Sequence, residues 1–238
     1  MKQEYPSDIE FYFTTEIENN SIKFFGNEFK HITKVMRHSL GDTINATDGK
    51  GKYFETELVS INNDNVICNI RQSKEYKNVF ENITFCFPRL KSNDRFEFEL
   101  EKSVELGITN FIIINTERTI PKGDKIERWN KIALAAMKQS LRTYLPRIEY
   151  FKSIKKLNSF EGEKIVLDQK GSGSIMNHLS KTTNELVDKK HYFIFGPEGG
   201  LSQQEIEQVE NHKLLFLTEN RLRAETAVIA TATAISLL

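Results

Sequence analysis

The chain has 238 residues, enough for one large domain or two small ones. Its 33 Lys and Arg balance 33 Asp and Glu, so overall charge excludes nothing about nucleic acid and any such partner must be read from local clusters. No run has the length or purity of a membrane-spanning helix, and residues 1–6 lack the apolar centre of a secretion signal; a cytoplasmic protein without a membrane partner is expected.

In chain order, residues 11–13, 42–47, 53–59 and 66–71 read as short strands. Turn signals at Gly41-Asp42, Asp48-Gly49-Lys50-Gly51 and Asn62-Asn63-Asp64-Asn65 separate them. A helix over 28–38 interrupts the series, and the spacing predicts a small barrel or sandwich over 1–73. Residues 74–82 are polar and predict a linker. From 83 the rhythm changes. Residues 83–87, 111–114, 164–168, 192–195 and 214–217 form short apolar strands, with helices predicted over 94–106, 127–142, 174–179, 202–212 and 225–238. Gly107 suits a left-handed cap on the first of these helices, and Pro146 stops the second. Apolar strands alternating with helices argue a parallel sheet covered on both faces over 83–238. Cys68 and Cys86 lie inside strand runs and are expected as buried, reduced thiols.

Two loops carry the strongest chemical signal. The apolar run 191–195 ends in Gly196-Pro197-Glu198-Gly199-Gly200. Gly196 frees the strand exit, Pro197 stiffens it, and Gly199 and Gly200 allow positive φ and close approach of a flat ligand to backbone amides. A second run ends in Leu217-Thr218-Glu219-Asn220-Arg221-Leu222-Arg223 and feeds a small-residue helix from Ala224-Glu225. Two such loops after buried strands predict a cofactor cleft at the carboxyl edge of the sheet. Ser202-Gln203-Gln204-Glu205 is a capping box, whose helix start is either a weak anion site or an ordinary cap. The stretch 168–174, with Gly171 and Gly173, only begins a dinucleotide fingerprint and reads as a flexible loop near the same edge.

Local charge is uneven. Between Arg118 and Lys156 bases, Lys122 among them, far outnumber acids. On the predicted helix Arg128, Lys131, Lys138 and Arg142 share one face, opposite Trp129, Ala133, Ala136 and Met137. This ridge is either a solvated face or a phosphate contact. His31, Lys34 and Arg37 recur at helical spacing in the N-terminal segment, and Lys50 sits in a basic turn; together they form a candidate RNA surface. The five His are scattered without metal-ligand spacing, so no metal is expected, and no Gly-x-Ser-x-Gly elbow occurs.

These residues bring out a resemblance over essentially the whole length. The chain resembles the bacterial 16S ribosomal RNA uracil-N3 methyltransferases, of the knotted SPOUT class that uses S-adenosylmethionine. The resemblance rests on residues 28–37 with Gly41-Asp42, the turn 48–51, Lys102 to Ile108, Glu117-Arg118-Thr119, Arg128-Trp129 with 135–142, and Pro146. It closes on Gly196 to Gly200 and Leu222 to Ala227. It implies an α/β trefoil-knot domain behind a small PUA-like β-barrel, a homodimer, and 16S ribosomal RNA or the small subunit as partner. It places the cofactor against Leu167, Phe195, Gly196, Pro197, Gly199, Gly200, Leu217, Thr218 and Leu222. It implies direct methyl transfer to N3 of a uracil, with Arg223 supporting charge on the base and Glu225 or Glu198 orienting that arginine or handling the proton. RNA contacts are expected from His31, Lys34, Arg37, Lys50, Arg128, Lys138 and Arg142. The chain departs from the family pattern where Thr218 stands for a glycine and Asn220 for an arginine, with Arg221 one place later. The rival readings are a nucleotide-binding α/β enzyme using 168–174, and an RNA-binding assembly protein without methyl transfer.

Overall fold

The computed structural model describes residues 9–121, 123–183 and 185–238. Residues 1–8, and Lys122 of the basic stretch, lie outside the described residues. The chain forms two compact units, Met1–Asn78 with Met137–Leu145, and Val79–Ala136 with Pro146–Leu238.

The first unit is built on one six-stranded sheet. Its strands are β1 (Phe11–Phe13), β2 (Ile17–Glu18), β3 (Ser21–Phe25), β4 (Thr43–Thr47), β5 (Lys52–Ile61) and β6 (Asn65–Glu75), in the order β1-β4-β5-β6-β3-β2. The pair β1–β4 is parallel and the others are antiparallel. Strand alternation buries one side chain in two, and Tyr12, Ile22, Phe24, Ile44, Phe54, Leu58, Val66 and Cys68 meet in one core. Cys68 is a buried free thiol, which burial pushes up to about 11.

Three expectations change in this unit. The strand β3 was not anticipated, although Ile22 and Phe24 alternate as a half-buried strand should. The helix expected over 28–38 is a short α1 (Gly26–Lys30) followed by a π-helical turn, His31–Val35. There the Met36 N–H donates to His31 O and the His38 N–H to Ile32 O, and Arg37 adopts φ 57°. The wider turn takes Arg37 off the helical face that His31 and Lys34 begin. The expected linker starts inside β6, which runs to Glu75, and Tyr76 beyond it is buried. Residues from much later in the chain complete the unit. Thr47 Oγ1 donates to Thr143 O, the Gly51 N–H donates to the same carbonyl, and the Leu145 N–H donates to Gly49 O.

The second unit is a seven-stranded, wholly parallel sheet. Its strands are β7 (Ile83–Phe87), β8 (Asn110–Ile114), β9 (Arg147–Phe151), β10 (Glu163–Leu167), β11 (Gly173–Ser174), β12 (His191–Ile194) and β13 (His212–Phe216). The order is β11-β13-β10-β12-β7-β8-β9. Both faces are buried, which is why the strands read as unbroken apolar runs. Cys86, Ile112, Ile114, Val166, Tyr192 and Ile194 point to one core with Ile154, Leu157, Ile206 and Val209. The alternate residues Phe85, Phe87, Phe111 and Phe193 build an aromatic face, where the Phe96 ring packs at a tilt against Phe87, centroids 5.8 Å apart, and against Trp129, 5.4 Å apart.

The helices of this unit begin with α2 (Asn93–Glu105). Ser92 caps it, and the left-handed Gly107, φ 102°, ends it as expected. Next come α3 (Ile126–Gln139), α4 (Ile175–Thr182), α5 (Glu185–Asp188), α6 (Gln203–Glu207) and α7 (Ala224–Ser236). Two helix ends fall short of expectation. In α3 the chain turns at Leu141, φ 56°, and the Arg142 N–H reaches back to Met137 O. That closing bond places Arg142 beyond the helix, so it is not on the basic face with Arg128. In α6 the helix stops after five residues, and His212 already belongs to β13. The edge strand β9 was not anticipated. Among the described residues no helix is long and apolar enough to cross a membrane.

Candidate active site

In an all-parallel sheet every strand delivers its carboxyl end to the same edge. Here β13, β10 and β12 are neighbours, so the segments after Phe216, Leu167 and Ile194 emerge side by side. They enclose a cleft of about 680 Å³. The cleft lining includes Leu167, Phe195, Gly196, Pro197, Gly199, Gly200, Leu217, Thr218 and Leu222, together with Arg223, Glu225 and Glu198. All the residues expected at the cofactor and at the chemistry thus come to one place. Asp168, Gln169 and Lys170 lie in the same wall.

The cradle loop is tightly made. The Gly200 N–H donates to Pro197 O at 2.8 Å, and Gly200 holds φ 70°. A Cβ on Gly196 would stand 2.8 Å from Leu201 N, so the turn closes on bare backbone. Gly199 is not left-handed. It makes room for the side chain of Arg118, whose Cδ would lie 3.2 Å from a Cβ there and whose Nη1 donates to Gly199 O at 2.5 Å. The Lys91 N–H donates to Glu198 Oε1 at 2.9 Å, which fixes an exposed carboxylate at the rim.

The loop after β13 is braced from within. Thr218 Oγ1 donates to Asn220 O at 2.8 Å, and Gln169 Nε2 donates to Glu219 O at 3.0 Å. Thr218 therefore spends its hydroxyl on its own loop. The stretch 168–174 is not a loose loop. The Asp168 and Ser172 N–H groups donate to Leu215 O and Leu214 O, and a Cβ on Gly171 would stand 2.3 Å from Leu215 C.

The catalytic candidates differ in exposure. Arg223, at the N-cap of α7, keeps 70% of its side chain in solvent, while that of Glu225 is 11% exposed. Glu225 Oε1 lies 3.6 Å from Arg95 Nε and 3.9 Å from Arg223 Nη1. Glu225 is thus a buried anchor for two cations, in the first turn of α7 where the helix dipole favours a negative charge. The capping box of α6 forms as read, with Ser202 N–H on Glu205 Oε2 and Glu205 N–H on Ser202 Oγ. Glu205 Oε1 also accepts the Glu117 N–H at 2.7 Å, so this helix start is internally satisfied and is a cap, not an anion site.

The candidate RNA residues are more scattered. Lys34, Arg37 and Lys50 are exposed, and His31 is half-buried. Arg128 is held by Glu97 through Nε at 2.5 Å and Nη2 at 2.7 Å. Lys138 is taken by Glu28 at 2.6 Å and lies 5.7 Å from the Tyr12 ring. Arg142 is half-buried. Sequence reasoning gave no role to Arg95, Glu99 and Arg118. Only Arg118 carried a signal, as part of a motif.

A parallel α/β sheet with a glycine cradle, an apolar wall and an Arg–Glu pair at one carboxyl-edge cleft defines an enzyme that holds a small organic cofactor beside a second substrate. Residues 77–236 match the RNA methyltransferase domain family, and residues 26–71 match the RNA methyltransferase PUA domain. The chain belongs to the RNA methyltransferase domain family. It is 29% identical over 224 residues to the ribosomal RNA small subunit methyltransferase E of Bacillus subtilis, covering 89% of this chain and 88% of the relative. It is 32% identical over 213 residues to the ribosomal RNA small subunit methyltransferase E 2 of Borreliella burgdorferi, covering 84% of each. The crystal structure of a ribosomal RNA small subunit methyltransferase E from Neisseria gonorrhoeae bound to S-adenosylmethionine superposes with a TM-score of 0.83 at 25% identity, covering 96% of this chain and 97% of that one.

Proposed function

We propose that the chain transfers the methyl group of S-adenosylmethionine to N3 of a uracil in 16S ribosomal RNA, acting on the RNA or on the small subunit. The observation that carries the reading is the convergence of the cradle, the braced loop 217–222 and the Arg223–Glu225 pair on one cleft. The cleft fits the cofactor. Its volume is in the range of small-molecule sites. Leu167, Phe195, Leu217 and Leu222 give a flat ring an apolar wall, and Gly200, where a Cβ would meet nothing within 4 Å, leaves backbone open to it. The carboxylates Glu198 and Glu225 suit a cationic group.

Bound there, S-adenosylmethionine supplies an electrophilic methyl on a positively charged sulfur. The chain's own part is alignment and charge support. Arg223, exposed yet tethered by Glu225, stabilises charge that develops on the uracil carbonyl oxygens. Glu198, the exposed carboxylate, accepts the imide proton, while the buried Glu225 keeps Arg95 and Arg223 in place. No residue needs to form a covalent bond to the base.

The strand order supports the knotted reading. β12 inserts between β7 and β10, and β13 between β10 and β11, so the last strands fill gaps left by earlier ones. The domain division 1–73 and 83–238, a barrel-like closure of the first unit, the homodimer and a cytoplasmic location belong to the same proposal. So does RNA contact through His31, Lys34, Arg37, Lys50, Arg128, Lys138 and Arg142. Arg128 and Lys138 would have to share their charge with Glu97 and Glu28.

Arg223→Ala tests the chemistry. Turnover on ribosomal RNA should fall by about 10²-fold or more, as for loss of one donor to a developing oxyanion. Cofactor affinity, followed by calorimetry, should stay near the parent value. Unchanged turnover would remove Arg223 from the reaction.

A further inference from the structure

Helix α2, whose Arg95 lines the cleft, carries a buried carboxyl that the proposed chemistry does not use. Glu99 is 0% exposed, and among the described residues neither of its carboxyl oxygens has a hydrogen-bond partner. An isolated charge in such a place is far too costly to keep. Burial pushes its proton affinity well above the usual carboxylate range, and the charges of Glu225 and Glu198 push the same way. Burial beside these acids therefore favours the protonated form of Glu99. A neutral acid has one O–H to donate.

Glu99 stands one turn beyond Arg95 on α2, and Arg95 Nε lies 3.6 Å from Glu225 Oε1. Helix α7 packs on α2. Its Glu225 is 8% exposed, and Oε2 has no partner among the described residues. The other oxygen, Oε1, faces Arg95 Nε and Arg223 Nη1. The acidic groups acting on Glu99 are thus Glu225 from α7 and Glu198 from the loop after β12, while the cations Arg95 and Arg223 meet the far side of Glu225.

We propose that Glu99 is a positioning residue of this site, a neutral acid that donates its O–H to Oε2 of Glu225 and so leaves Oε1 turned to Arg95 and Arg223. The role in turnover rests on the methyltransferase reading above, but the hydrogen bond does not. Ionising Glu99 would set a second negative charge against Glu225 and remove the donor. Activity should therefore fall when Glu99 loses its proton at alkaline pH.

The full chain, Glu99→Gln and Glu99→Met separate the possibilities. The amide keeps a donor and cannot ionise, whereas Met fills similar volume without one. Glu99→Gln should stay within about twofold of the parent at neutral pH and lose the alkaline fall. Glu99→Met should fold, bind S-adenosylmethionine, and lose roughly tenfold or more in kcat with KM little changed. Full turnover in Glu99→Met, or equal loss in both variants, would overturn the role. Infrared spectroscopy gives a readout independent of turnover. The parent should show the C=O band of a buried protonated carboxyl, missing in Glu99→Gln and displaced in Glu225→Gln. A parent without that band overturns the proposal even if the chain methylates RNA. A parent with the band but without methyl transfer leaves the hydrogen bond standing and removes the methyltransferase reading instead.

Discussion

Glu163, at the start of β10, shows how much one carboxylate can organise away from the cleft. His178 Nε2 lies 3.0 Å and His191 Nδ1 3.2 Å from its Oε2, and Lys213 Nζ pairs with its Oε1. Burial alone would raise its proton affinity. The Lys213 hydrogen bond and the charges of His178, Lys213 and His191 outweigh that and hold the group below the usual carboxylate range. The folded value is depressed, so the unfolded chain binds the proton more tightly. The stabilisation is then fully present above the ordinary Glu value and is lost as pH falls through the folded one. Glu163→Gln should cost about 1–3 kcal/mol at neutral pH. The difference should shrink in acid, as pH falls through the depressed folded value and the parent also takes up a proton. Urea unfolding at neutral and at acid pH measures this, and a gap that does not change with pH would mean that packing, not charge, holds the cluster. Glu99 is the opposite case among the acids. The half-buried Glu163 has cations that favour its charged form, whereas full burial beside other acids favours the protonated form of Glu99. Nothing in Phe96-Glu97-Phe98-Glu99-Leu100-Glu101 tells these acids apart by type; only the packing of α7 on α2 does.

At the scale of elements, the cradle after β12 is the place where local chain geometry and ligand binding are the same thing. A Cβ on Gly196 would meet Leu201 N at 2.8 Å and Gly200 C and Cα at 3.0 Å, all backbone atoms that cannot rotate away. Gly196→Ala must therefore open the turn. A destabilisation of about 1–3 kcal/mol is expected. S-adenosylmethionine affinity should fall by roughly tenfold or more, because the backbone amides move. Thermal unfolding and calorimetry read the two effects, and unchanged affinity would take the loop out of the cofactor site. This element was legible because its signal is local, a glycine-rich string at the end of a buried strand. The helix α2 was legible for the same reason, from its glycine at 107. The end of α3 was not, since Leu141 takes the left-handed turn with neither Gly nor Asn to announce it. The short α6 was hidden because its capping box promised a helix and nothing in the sequence limits its length. Arg118 and Arg95 reach the cleft from the connection after β8 and from α2, and the sequence does not state which strands become neighbours. The order β13-β10-β12-β7 decides that.

The whole molecule is not divided as the chain is written. The N-terminal unit includes Met137–Leu145, which arrives after most of α3 has been built in the other unit. That segment supplies the Thr143 carbonyl to both Thr47 Oγ1 and the Gly51 N–H, the Leu145 N–H to Gly49 O, and Lys138 to Glu28. Tyr144 donates its hydroxyl to Tyr76 O at 2.8 Å, and Leu141 packs against the Phe11, Tyr53 and Tyr76 cluster. A polar–apolar reading of the chain places the boundary in the charged stretch after β6, because composition changes there. Polar contacts between residues 68 to 110 apart in the chain leave no mark on local composition. A fragment of residues 1–78 therefore lacks the acceptor for the buried Thr47 hydroxyl and the one for the Gly51 N–H, and each orphaned donor costs about 1–3 kcal/mol. For so small a unit the sum is comparable to its whole stability. The fragment should unfold without a cooperative transition, or at a much lower temperature than the same fragment joined through a flexible linker to residues 137–145. Circular dichroism melts of the two fragments give the comparison. Equal and cooperative melting of both would show that the first unit folds from the N-terminal segment alone and that residues 137–145 only dock on it afterwards.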